Sequence, residues 1–319
     1  MKAFMNNKIT KIILSLIIVL LTYIYLCFLF LPKEATDRGY AKYYRSVSML
    51  EEEKNSIDIL FYGNSDLSSG IIPMQIFKDA GYTSYLRWGN QHTLNSVYDQ
   101  VKQDVKSQKP KLIVLEVDCV YYPNKPVSDN DFYGNFWFAP FAYHTRWKDI
   151  SFRDFAPYLD YEKDYHKGYN YQTIKGEYTY KDYMGTSDKA EPIEKSVLKR
   201  VKQIKKICDK NNIQFMFIEA PSPSSWNMKK HNGIVNLAKE LEVNFIDFNL
   251  PVDDFNFDYS NDFRDKGNHC NFKGATKVTA CVTKYIQDNY DLPDRRLDNN
   301  KKYKSWKKDL EKYEQVYVG

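Results

Sequence analysis

The sequence predicts an α/β domain with a mostly parallel sheet, carried behind a single N-terminal membrane helix. Three observations predict it. Strand-length apolar runs alternate with helix-period segments from Ile57 to Asn289. One of those runs, Lys111–Val117, is apolar almost throughout, as a strand covered on both faces must be. Ile12–Leu31 is uncharged and apolar over roughly the 20 residues a helix needs to cross a bilayer. The length of 319 residues accommodates one large domain with additions.

The apolar run is too long for a cleaved signal peptide, whose core is about 7–15 residues and ends in small residues. It ends instead in Leu29-Phe30-Leu31-Pro32-Lys33, and Ile24-Tyr25-Leu26 before Cys27 lacks the small residues of a lipid-attachment site. Lys2, Lys8 and Lys11 precede it without an acid, whereas Lys33, Glu34, Asp37 and Arg38 balance after it. The positive-inside rule makes residues 1–11 cytoplasmic and 12–31 a single-pass anchor in the cell membrane. The chain beyond is extracytoplasmic: a stalk over 33–55, a domain over 56–290 and a charged helical tail over 291–319.

Tyr40–Asn55 has the pattern of a short helical stalk. Ile57–Tyr62 is the first strand, closed by Gly63. Pro73 at a helix start and Gly81 past its end bound a helix over Pro73–Ala80. Ser84–Trp88 is the second strand and runs into Gly89-Asn90-Gln91-His92-Thr93. Leu94, Val97, Val101 and Val105 then mark one face of an amphipathic helix. Lys111–Val117 follows as the central strand. Residues 121–190 lose all period and are rich in Tyr, Phe, Trp, Asp and Gly. So long a loop inside a domain is functional or disordered, and we expect an aromatic insertion with short helices over the site. Ile193, Val197, Val201, Ile204 and Ile207 restore helical period up to Lys210, before a strand at Gln214–Glu219 and a loop at Pro221–Trp226. A helix over Lys229–Glu242, a short strand over Val243–Asp247 and a last helix over Lys273–Asn289 complete the alternation. A flavodoxin-like, three-layer domain results, with its site at the carboxyl ends of the strands. In the tail, Tyr303, Trp306, Leu310 and Tyr313 share a helix face that packs back on the domain or contacts membrane or a partner.

Composition narrows the function. Five cysteines, odd in number and without a C-x-x-C pair, make neither a disulfide framework nor a zinc site, and buried thiols are the favoured state, with a Cys270–Cys281 bridge left open. The net charge of +5 is mild for this length, with much of the basic excess in the C-terminal tail, whereas nucleic-acid binding needs a concentrated basic face. Twenty-seven tyrosines, many within 121–190, suit carbohydrate, the membrane interface or aromatic core packing.

Ile57–Gly70 is a buried strand ending in a sharp turn that lifts Ser65 out of the backbone, and Asp262–Gly274 supplies His269 with carboxylates just before it. A serine, a histidine and an acid are the parts of an acyl-transfer site. His269 is the base for Ser65, because an imidazole titrates near the operating pH. Asp265 orients the ring, with Asp262 as reserve acid. The Ser65 and Gly89 amides form the oxyanion hole, with Asn90, Gln91 or His92 as candidate side-chain donors. His92, Trp137 and Trp226 are candidate substrate contacts, although His92 serves equally as a residue that caps or packs at a helix start. The competing role for Ser65 is a turn serine capping the segment after it. Glu116 and Asp118, two apart on a strand, are expected on opposite faces, so that only one reaches the site. This chemistry calls for no metal and no cofactor.

Gly63-Asn64-Ser65, Gly89 and Asp265 with His269 resemble the opening, glycine and closing blocks of the SGNH/GDSL hydrolase superfamily, over about residues 55–290. Lys266, Gly267 and Asn268 separate acid from histidine where the family has two residues, and Glu116-Val117-Asp118-Cys119 replaces its third block. The anchor, the outward domain and the missing block are similar to a membrane-anchored subgroup that includes the alginate O-acetylation proteins and the teichoic-acid D-alanylation protein DltD. The resemblance implies serine-dependent acyl transfer (O-acetylation or D-alanylation) onto a cell-surface polysaccharide or teichoic acid, with a membrane-bound O-acyltransferase as partner. A membrane-tethered carbohydrate esterase and a non-catalytic scaffold for polymer or partner stand as alternatives.

Overall fold

Five strands, β1 Ile59–Gly63, β2 Ser84–Trp88, β3 Leu112–Glu116, β4 Gln214–Glu219 and β5 Asn244–Asp247, pair in parallel in the order β2-β1-β3-β4-β5. This is the flavodoxin-like order, whose chain reverses direction across the sheet between β1 and β3. The computed structural model describes residues 7–33, 44, 47–124, 136–155, 164–176, 178–179 and 181–317. The chain divides into an anchor unit, Met1–Val47 with Asp129–Glu162, and a sheet unit, Ser48–Ser128 with Lys163–Gly319.

In the sheet unit, β1, β2 and β3 are buried at every position, which is why their sequences are runs rather than alternations. The β1-to-β2 connection carries α2 Ser65–Gly70 and α3 Pro73–Ala80; the β2-to-β3 connection carries α4 Leu94–Ser107. These crossovers run in opposite directions along the sheet, so right-handedness sends their helices to opposite faces. α6 Lys195–Lys210 packs on α4, and α8 Phe272–Asn289 packs on α2 and α3. α7 Met228–Leu241 precedes β5 and packs against it. Leu60, Phe61, Ile113, Val114 and Phe217 are fully inaccessible at the centre, and burying each such side chain stabilises the fold by about 1.5–3 kcal/mol.

The tail helix α9, Lys304–Tyr317, packs on α3, with the Trp306 ring 5.8 Å from that of Phe77; Trp306, Tyr313 and Tyr303 of the preceding turn are all buried. Its Asp309 shares the buried Lys167 ammonium with Glu52, both at 2.6 Å. All five cysteines are free, Cys270 and Cys281 included.

In the anchor unit, α1 Lys8–Phe30 is long and apolar enough to cross a membrane by length and composition. Its C-terminal end is wrapped by short helical turns of residues 136–155, among them α5 Ala139–Ala142. The aromatic insertion is therefore two different things. Residues 136–155 pack with α1, whereas residues 164–176 run along the sheet unit, where Asn170 N–H donates to Ser68 at 2.8 Å and Gly176 N–H to Phe263 at 2.9 Å. Most of the expected stalk, and residues 125–135 and 156–163 of the expected insertion, lie outside the described residues; Ser48–Glu51 is a single 3₁₀ turn of the sheet unit.

Candidate active site

The switch point between β1 and β3 is where an open parallel sheet leaves a crevice, and Ser65 stands there. Glycine at 63 is a steric requirement, because a Cβ would come within 2.7 Å of the Glu116 side chain. Asn64 is the N-cap of α2. Its Oδ1 accepts the Asp66 amide at 2.8 Å, its own N–H donates to Glu116 Oε2 at 3.1 Å, and its Nδ2 donates to Asp118 Oδ2 at 2.9 Å. So strapped, the turn sets Ser65 as the first residue of α2, where its amide has no intrahelical acceptor. Ser68 and Ser69 both donate their hydroxyls to the Ser65 carbonyl, at 2.8 and 2.9 Å. The capping that competes as an explanation of the sequence thus falls to Asn64, leaving the Ser65 hydroxyl for another partner.

That partner comes from the loop before α8. Phe263 and Cys270 form an antiparallel bridge, and Arg264 N–H donates to the His269 carbonyl at 2.9 Å, so Asp265–Asn268 closes a narrow turn. Gly267 takes a left-handed φ of +83° within this turn, which glycine adopts without steric cost. Asp265 Oδ1 accepts the amides of Asn268 and His269 at 2.8 and 3.0 Å, and its Oδ2 lies 2.6 Å from His269 Nδ1. His269 Nε2 lies 2.9 Å from Ser65 Oγ. Burial pushes the Asp265 carboxyl up, but the bonds from His269 and the two amides outweigh it and hold the group below its ordinary value. An ionised Asp265 assigns the Nδ1 proton, so Nε2 is the acceptor for the serine hydroxyl.

Asp262 is occupied elsewhere. It is fully buried, and its Oδ2 takes Lys277 Nζ at 2.6 Å and the Asp258 amide at 2.7 Å. Gly89 follows Trp88, the register partner of Gly63, and so lies next to the end of β1; Asn90 is exposed in the same turn, and Gln91 takes a left-handed φ of 49°.

Three expectations are corrected. His92 is 3% exposed and bonded through Nδ1 to the Gly63 carbonyl at 2.9 Å. Burial lowers its pKa to about 4, so it is a neutral tie between the β2 loop and the end of β1, not a substrate contact. Trp226 is buried, with Nε1 donating to Asp247 Oδ2 at 2.8 Å, and is a core residue. Glu116 and Asp118 do not diverge, since β3 ends at Glu116 and a 3₁₀ turn starts at Asp118; both reach Asn64. Trp137 belongs to the anchor unit, where its carbonyl accepts the Tyr23 hydroxyl at 2.5 Å.

Sequence reasoning brought one of Glu116 and Asp118 to the site but missed Asp66 and Glu219, which complete an acidic floor of the crevice. Asp66 is 4% exposed, with Oδ1 3.7 Å from His269 Nε2. Burial, then the Glu116 and Asp118 charges, hold its carboxyl well above the usual range. Burial, then Asp118, pushes Glu116 up to about 7, and burial, then Glu116, pushes Glu219 well up. Glu116 and Glu219 each end or nearly end a buried strand, and that placement was the available signal.

Fold and site together define a class: an α/β protein with a serine–histidine–aspartate chain at the switch point of a parallel sheet. No family model matches the sequence, and no curated protein matches it. Among solved structures, the chain is similar to a GDSL-like lipase from Bacteroides thetaiotaomicron at 13% identity, covering 79% of this chain and 99% of that one, with a TM-score of 0.38. It is similar to an acetyl xylan esterase at 16% identity, 72% and 100% coverage and a TM-score of 0.37. A family 3 carbohydrate esterase from Clostridium thermocellum gives 13% identity, 73% and 96% coverage and a TM-score of 0.37. At this distance the likeness assigns neither activity nor substrate.

Proposed function

We propose that the sheet unit is an SGNH-type serine enzyme that transfers acyl groups, its acceptor being a hydroxyl of a cell-surface polysaccharide or teichoic acid, with a membrane-bound O-acyltransferase as donor partner. The observation that carries the chemistry is the unbroken chain from Ser65 Oγ through His269 to Asp265, at 2.9 and 2.6 Å. Ser65 attacks the acyl carbonyl while its proton passes to His269 Nε2, and Asp265 stabilises the imidazolium that forms. The Ser65 and Gly89 amides face the oxyanion. Collapse expels the donor's alcohol, which takes the proton from His269, and leaves an ester on Ser65 Oγ. The acceptor hydroxyl then repeats the cycle in reverse, giving its proton to His269. The polymer and the partner are supported by the anchor helix and the motif resemblance, not by the catalytic geometry.

The test is an acyl-enzyme trap on the full chain in lipid nanodiscs with an aryl acetate. Wild type should gain one acetyl mass on the peptide carrying Ser65, and Ser65→Ala should show no adduct and lose at least about 10³-fold in ester turnover. Adding polyol or glycan acceptors then separates the two reactions. Acceptor-dependent discharge marks a transferase, and discharge to water at the same rate marks the tethered carbohydrate esterase. Absence of any serine-dependent adduct leaves the scaffold.

A further inference from the structure

The anchor unit has its polarity inside out. Within residues 136–155 the Arg146–Asp154 pair and Tyr143 are buried, Lys148 and Arg153 reach the surface, and six large aromatics face outward. Arg146 and Asp154 pair with each other, the Arg146 guanidinium also donates to the Leu29 carbonyl at 2.6 Å, and Lys33 Nζ donates to the Asp154 carbonyl at 2.7 Å. All three side chains are buried. Arg146 thereby supplies the cation that the last turn of α1 lacks, satisfying one of its orphan carbonyls. Trp137, Phe138, Phe141, Trp147, Phe152 and Phe155 are exposed, Phe152 at 94% and Trp147 at 63%. A water-facing surface sorts these residue types the other way round.

The segment is also fixed in depth. Tyr23 holds the Trp137 carbonyl, Tyr25 the Phe155 carbonyl at 3.4 Å, and Phe28 stacks edge-on with Phe136 at 4.7 Å. These contacts lie within roughly 10 Å of the end of α1 at 1.5 Å rise per residue. A helix of 23 residues is roughly 35 Å long, a few ångströms more than the hydrocarbon core of about 30 Å, so its final turns stand at the lipid–water interface. Tryptophan and other aromatics concentrate at that level.

We propose that residues 136–155 form a collar seated in the lipid headgroup and upper acyl region around the C-terminal end of α1, so that the chain is held by an embedded disc rather than by a bare helix. The occupant of the aromatic face is bilayer lipid, the same surroundings that the exposed apolar residues of α1, Leu16, Ile18, Val19 and Leu21 among them, require.

The chain's own tryptophans test this. Trp88, Trp226 and Trp306 are buried in the sheet unit, whereas Trp137 and Trp147 lie on the collar. The full chain is reconstituted without any partner into vesicles of phosphatidylcholine brominated near the headgroup end of the acyl chains. Tryptophan emission should be partly quenched, and a Trp137→Phe/Trp147→Phe double variant with unchanged circular dichroism should lose the bromolipid-sensitive component. Emission untouched by bromolipid overturns the proposal. Quenching by aqueous acrylamide would then show a water-open face, and shielding from both quenchers a face covered by protein.

Discussion

Two regions of the sheet unit bury carboxyl groups and treat their charge in opposite ways. Beside β2, Asp104 is held by Arg87 through two bonds of 2.7 and 3.2 Å and by the Tyr62 hydroxyl at 3.0 Å; across the unit, Glu52 and Asp309 share Lys167. Beneath Ser65, Asp66, Glu116, Asp118 and Glu219 converge instead on one another. Asp66 Oδ1 and Asp118 Oδ1 accept no hydrogen bond, Glu219 receives none from a backbone amide or a basic side chain among the described residues, and Lys230 stands 3.5 Å from Asp118. A bond between the Glu116 and Glu219 carboxyls needs a shared proton, in keeping with the upward push on both. The framework sets its carboxylates against cations, whereas on the crevice floor burial and neighbouring acids push Asp66, Glu116 and Glu219 toward their protonated forms.

The partnered acids give the largest effects when broken. Asp265→Asn keeps an acceptor oxygen but loses the charge that fixes the His269 tautomer, and turnover of an aryl ester should fall by about 10³–10⁴-fold. Asp262→Asn should keep turnover within a few-fold of wild type and lower stability, because Lys277 loses its counter-charge. Equal losses of turnover in the two variants would show that the geometry does not distinguish the acids. Arg87→Met strands Asp104 in a site with no water access, and urea unfolding should show a loss of about 3–5 kcal/mol.

Those two sets of acids were not equally legible. The strands were, because β1 and β3 are buried runs and Pro73 and Gly81 bound α3 as they bound it in sequence. Ser65 and His269 were visible because each sits in a local signature. The crevice floor was not, since Glu116 and Glu219 meet only through strand register: Glu116 lies opposite Ile218, one residue before Glu219. The collar escaped for a related reason. Its ordering contacts join Tyr23 to Trp137 and Leu29 to Arg146, more than a hundred residues apart, and its own sequence has no period to announce them. Trp226 misled because an aromatic in a loop near a strand end suits a glycan contact as well as a core.

Glu219→Gln sharpens the comparison at intermediate magnitude. Glu116 stands at about 7 in the fold against an ordinary value of 4.5, so between those values the folded chain holds a proton that the unfolded chain has released. Stability contributed by this group is therefore complete at low pH and declines as pH rises from about 4.5 to about 7. The glutamine cannot ionise and offers Glu116 an N–H donor at every pH, so the decline should flatten and the variant should gain roughly 1–2 kcal/mol over wild type near pH 8. An unchanged slope in urea titrations across that range would mean that the floor is charged and solvated after all.

The smallest expected effect comes from the other end of the sheet. Asp247 ends β5 and accepts from both Trp226 Nε1, at 2.8 Å, and His231 Nδ1, at 2.7 Å, besides the Asn249 amide at 2.9 Å. It is a partnered carboxyl, in register with Glu219 on the neighbouring strand. Trp226→Phe deletes one donor out of several and keeps the aromatic volume against Tyr121, whose ring lies 6.0 Å away. The cost should be about 1 kcal/mol in stability, with KM for any glycan acceptor unchanged. A larger rise in KM at unaltered stability would return Trp226 to the substrate and place an opening in the sheet unit where the packing leaves none.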